Sequence, residues 1–159
     1  MLTRILVPVD FSSPSAHALA VARDYCPEGA TIRLLHVISA SQLAADAANP
    51  AINPLHTRDL RESAEREVTE RLARWAYEHE EVAVEVGNPP EKISQHADQW
   101  RAGMIVMGTR SRSGLSHFLH GSATEWLVRH ARQPVLAVHD VEMDPEQAKL
   151  LPPMEAIAR

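Results

Sequence analysis

Residues 104–122 read MIVMGTRSRSGLSHFLHGS, and the residue types in that stretch suit the capture of an anion. An apolar run ends on Gly108, a loop rich in Ser, Arg and Gly follows, and Gly121-Ser122 opens a segment with helical spacing through His130. The first N–H groups of a helix lack partners within it, and the macrodipole adds about half a positive charge there. Glycine lets backbone approach a ligand without a Cβ in the way. A buried strand, a small-residue loop and a fresh helix start together form a phosphate cradle. Arg110 and Arg112 are placed either to reach such a phosphate or to stand in solvent.

Asp10 is the second candidate. It follows the first apolar run, RILVPV, and stands just past that run's carboxyl end. Open α/β sheets bind ligands at strand carboxyl ends where the winding direction reverses. If the first and fourth strands are neighbours, Asp10, the exit of the second strand at Val37 and the glycine loop share one crevice. Asp10 then accepts from a ribose hydroxyl or holds a metal near phosphates; its structural alternative is a turn residue bonded to local backbone.

Other chemistries are excluded. No G-x-x-x-x-G-K-[ST] follows the first strand, and no G-x-G-x-x-G is present, so neither a P-loop nor a dinucleotide fingerprint operates. A nucleophile elbow is missing around Ser111 and Ser113. Of the nine histidines, only His117 and His120 lie close together near the loop, without a Cys or acidic partner at zinc-ligand spacing; the histidines read as surface residues. Cys26 reads as a small packed side chain.

Strands alternate with helices along the chain. Residues 4–9, 31–37, 81–86, 104–107 and 133–138 carry strand patterns, and Pro8 marks a fray or kink in the first. Helical patterns cover 13–22, with Ser13 as N-cap and Pro14 at the first position, then 58–79, 91–100 and 122–130. Trp75, Trp100 and Trp126 fall within them as packing residues. Residues 39–57 form a long, partly helical connection, and 140–159 read as an appendage. This order predicts a parallel α/β sheet with helices on both faces.

The 159 residues fit one domain, with 45% hydrophobic and 23% charged residues. The net charge of −5 argues against general nucleic-acid binding. No apolar run approaches the roughly 20 residues of a membrane span, and one cysteine suits a reducing cytoplasm.

Residues 5–12 (ILVPVDFS), 34–37 (LLHV), 105–110 (IVMGTR), 112–115 (RSGL), 121–122 (GS) and 133–138 (QPVLAV), taken in order, resemble the universal stress proteins. The resemblance covers residues 2–139. It implies a single-domain open parallel five-stranded sheet of order 3-2-1-4-5, over residues 1–139, with 140–159 as a C-terminal extension. It implies cytoplasmic homodimers in stress adaptation, many binding ATP, alone or with Mg, through G-x2-G-x9-G-[ST]. On this chain Gly108 is the first glycine of that motif and Gly121-Ser122 the last pair. Ser111 stands where ATP-binding members have glycine, the one departure. The implied adenine contacts fall on Val37 and neighbouring backbone, and Pro8, Val9 and Met107 belong to the expected nucleotide-binding set. The implied ribose and phosphate contacts fall on Asp10, Gly108, Arg110, Ser111, Gly121, Ser122 and Ala123.

The expected function is an ATP-binding regulatory homodimer, at most a slow ATPase. The alternative is a stress-response interaction protein of the same fold that binds no nucleotide. Dimerisation is expected through the last strand, burying Val135, Leu136 and Val138, with the extension draped over the partner on Leu150, Leu151 and Met154.

Overall fold

The computed structural model describes residues 2–47, 57–109, 123–139 and 144–153. Five strands, β1 (Arg4–Pro8), β2 (Thr31–Ser39), β3 (Glu81–Gly87), β4 (Met104–Thr109) and β5 (Val135–His139), form one sheet of order β3-β2-β1-β4-β5. All four pairings are parallel. The helices are α1 (Ser13–Asp24), α2 (Ala40–Ala47), α3 (Thr57–Trp75), α4 (Pro89–Trp100), α5 (Ala123–His130) and the short α6 (Pro145–Ala148).

Period-2 alternation sends neighbouring strand residues to opposite faces. Ile5, Val7, Ile32, Leu34 and Val106 meet α1 and α3 through Ala16, Leu19, Leu72 and Trp75. Leu6, Leu35, Ile105 and Met107 meet α4 and α5 through Ile93, Ala97 and Leu127. Small residues on α1 (Ala16, Ala18, Ala20, Ala22) are all fully buried, so this helix lies close on the sheet. The three tryptophans serve packing: Trp75 is buried in the first layer, and Trp100 and Trp126 pack on the second.

Several element ends differ from the local sequence patterns. β4 runs through Gly108 and Thr109 because β5 extends the ladder, with Gly108 opposite Val138 and Thr109 opposite His139. β2 continues to Ser39 because β3 offers partners up to Gly87. α1 is capped by Ser12, not Ser13. Pro89 and Pro90 open α4 rather than precede it, since the first helical N–H groups have no intrahelical acceptor to lose. α3 stops at Trp75, four residues short of the pattern. There the Trp75 carbonyl accepts from Arg23 Nη2 at 2.7 Å, and the Tyr77 N–H donates to Glu80 Oε2 at 2.8 Å.

Arg23 is the centre of a buried network. Its Nε and Nη2 donate to the two Glu80 oxygens at 2.8 and 2.7 Å, and the paired side chains are only 3% and 0% exposed. Its guanidinium stacks 3.7 Å from the Tyr77 ring centroid. Nη1 donates to the Leu150 carbonyl at 2.7 Å. Gln147 adds a bond to Asp24 at 2.9 Å, and Leu151 packs on the core. The C-terminal segment is therefore bound to α1 of its own chain. Leu151, expected to anchor on a partner, packs instead on the core of its own chain, while for Leu150 the bond is made by the backbone carbonyl; Met154 lies outside the described residues.

On the opposite face, Arg33 Nη1 donates to His96 Nε2 at 3.2 Å. A guanidinium only donates, so the His96 hydrogen sits on Nδ1, facing Glu85 Oε1 at 3.1 Å. His96 is thus a structural link between β2, β3 and α4 rather than a surface histidine.

Candidate functional site

With β1 beside β4, the chain's winding direction reverses between them, and a cleft of about 380 Å³ opens at their carboxyl ends. Of the residues expected there, Pro8, Val9, Asp10, Val37, Met107, Gly108 and Ala123 line it together. Arg110, Ser111, Gly121 and Ser122 lie outside the described residues. The cleft is also lined by Ser15, Leu35, His36, Pro89, Ile93, Thr109 and Thr124, which the sequence reading missed. Their one legible signal was His36, adjacent to Val37 in the second strand pattern.

The walls differ in chemistry. Pro8, Leu35, Ile93 and Met107 are buried apolar residues, with Val37 and Pro89 half-buried beside them. This makes one side a slot for a flat apolar group. Asp10 is exposed at the other side, where its Oδ1 accepts from the Ser12 N–H at 3.0 Å and from the Ser12 hydroxyl. Asp10 is thus a turn residue bonded to local backbone, and its carboxylate also lines the cleft; the two readings are compatible. Thr109 ends β4 at the rim, its hydroxyl within 3.0 Å of His139 Nδ1. Thr124 in the first turn of α5 donates to the Gly108 carbonyl at 3.4 Å, tying that helix start to the end of β4.

His36 borders the cleft, and its ring packs against Phe11 and the Val9 carbonyl. Burial, the largest cause, lowers its pKa below the ordinary 6.5, and Arg71 acts in the same direction. Its bond to Val9 and the Asp10 charge act against this. His36 is therefore neutral at neutral pH. Because the unfolded chain binds this proton more readily, acidification from above 6.5 works against the fold.

Gly108 has a steric origin of its own. A Cβ there would lie 2.3 Å from both the carbonyl carbon and oxygen of Pro14 and 2.8 Å from its Cβ. The first turn of α1 crosses the end of β4 too closely for any side chain.

No cluster of three or more His, Cys, Asp or Glu able to hold a metal occurs among the described residues. No described helix is long and apolar enough to cross a membrane.

Fold and cleft define an open parallel α/β protein with a cleft at the reversal point of its sheet. Residues 1–139 match the Universal stress protein family. A universal stress protein of Methanocaldococcus jannaschii, MJ0531, is 30% identical over 139 residues, 85% of this chain and 81% of that one. The solved structure of MJ0577, from the same organism, superposes with a TM-score of 0.72 at 25% identity, covering 90% of this chain and 99% of the other. Two further structures share the fold at 20% identity. One is a universal stress protein in complex with cAMP, with a TM-score of 0.58 over 88% of this chain and 98% of that one. The other is a family protein from Arabidopsis thaliana with AMP bound, at 0.61 over 92% and 98%. The chain belongs to the universal stress protein family.

Proposed function

We propose that this protein is a regulatory module that binds adenine nucleotide, ATP with or without Mg, in the cleft between β1 and β4, as a cytoplasmic homodimer in stress adaptation. The observation that carries this reading is the pairing, in one cleft, of an apolar slot with the Asp10 carboxylate. A purine is a flat group that the slot of Val37, Pro89, Ile93 and Met107 would cover. Asp10 is an acceptor suited to a ribose hydroxyl. The phosphates would run toward the segment between Thr109 and Ala123, which holds Gly121 and Ser122 at the motif spacing from Gly108. The cAMP and AMP complexes of proteins sharing the fold are consistent with a nucleotide in such a cleft. Among the described residues lining the cleft, Asp10 is the one carboxylate, and any hydrolysis is proposed to be slow.

Thermal unfolding tests this. At a hundred times its dissociation constant a ligand stabilises by about 2.7 kcal/mol, or roughly 5–10 °C for a chain of this size. Millimolar ATP with magnesium is expected to shift Tm by that amount. Superimposable curves would favour the second reading, an interaction protein without nucleotide, which Ser111 in place of the motif glycine supports.

The homodimer is proposed to form through β5. This strand is a sheet edge, and such edges need covering. Val135 and Val138 already pack on their own helices, while Leu136 is 39% exposed and would carry the contact. A two-fold contact repeats the same residue on both sides. Leu136→Asp is therefore expected to convert the dimer to monomers in light scattering at micromolar concentration. A parent protein that is already monomeric would rule the interface out.

A further inference from the structure

We propose that His36 is a positioning residue that holds the Asp10 carboxylate in place for its ligand. His36 Nδ1 lies 2.7 Å from the Val9 carbonyl oxygen. A carbonyl only accepts, so Nδ1 carries the hydrogen and donates. The Val9 N–H in turn donates to the Leu35 carbonyl at 2.8 Å. Consecutive residues of β2 thus clamp Val9 by both its N–H and its carbonyl, just where the β1–β2 register ends at Pro8.

The same imidazole faces Phe11, with ring centroids 5.1 Å apart and planes at 30°. Phe11 has φ of 61°, a left-handed conformation that a bulky side chain adopts only when its surroundings impose it. Its ring is held edge-on to Trp75 at 5.4 Å and lies 4.0 Å from the Arg71 guanidinium. Asp10 therefore stands between two residues that both touch His36, and its own carboxylate is turned onto Ser12. The ligand is to meet Asp10; His36 acts through it.

This inference rests on the nucleotide reading of Asp10, so its test has an arm without ligand. His36→Leu removes the donor. His36→Asn places an amide nitrogen near the position of Nδ1 and keeps it. ATP affinity is expected to fall on the order of tenfold in His36→Leu, the size of a coupling between contacting residues, and to return in His36→Asn. In an Asp10→Ala background, His36→Leu should have no further effect. Without ATP, hydrogen exchange at the Ser12 amide should quicken in His36→Leu and recover in His36→Asn, while α4 amides stay unchanged. If leucine prevents folding, His36→Gln replaces it, with the amide carried one methylene past Val9. A parent that binds no ATP overturns the functional reading alone, and Ser12 exchange still decides the role of His36. Unchanged Ser12 exchange in His36→Leu, or equal losses in the leucine and asparagine variants, overturns the proposal.

Discussion

Arg23→Leu is expected to destabilise the fold by about 3–5 kcal/mol, because it leaves the Glu80 carboxylate buried and without its cation. In a chain of this size that is a fall in Tm of roughly 6–20 °C. Both side chains are almost fully enclosed, so solvent does little to screen the loss. Two carbonyls lose a donor at the same time, Trp75 at the end of α3 and Leu150 in the C-terminal segment, and the Tyr77 ring loses the cation stacked on it. Glu80→Leu strands Arg23 in the same way. The double variant Arg23→Leu with Glu80→Leu should lose much less than the sum of the singles, since replacing both partners removes both desolvation penalties. Urea unfolding of the four proteins yields the coupling directly. A loss below about 1 kcal/mol for Arg23→Leu would place this pair with ordinary exposed ion pairs and contradict its burial.

Gly108→Ala separates two explanations of the first motif glycine. If that position is glycine only to admit a phosphate, alanine should abolish ATP binding and leave Tm unchanged. The packing predicts otherwise. The new methyl group would collide with the Pro14 backbone, which cannot swing aside as a side chain can. Overpacking of this kind costs about 1–3 kcal/mol, and a backbone collision belongs at the upper end. Tm is expected to fall by roughly 6–12 °C, with α1 displaced from the end of β4. Since Ser15 and Gly108 both line the cleft, nucleotide binding should fail as well. An unaltered Tm would return Gly108 to a ligand-only role.

The parallel sheet with helices on both faces was legible in the sequence, because hydrophobic periodicity is a local property carried by each segment. The resemblance added the sheet order, and seven of the eleven expected site residues do line one cleft. The other four lie outside the described residues. Ends of elements were less legible: α3 stops at Trp75 because Arg23 and Glu80 take its last groups, and β4 lengthens because β5 is there to pair with it.

By itself, the order of apolar runs, caps and glycines determined which elements form and which residues stand at strand ends. Only the tertiary structure decided what those residues meet. Arg23 and Glu80 stand 57 positions apart, and no local pattern records their pairing or burial. Gly108 read as a phosphate glycine until Pro14 was seen against it. His36 read as one surface histidine among nine until folding brought the Val9 carbonyl within hydrogen-bonding distance. Periodicity reports the average environment of one segment, whereas close approach and ion pairing depend on particular atoms of distant segments, which only the folded chain brings together.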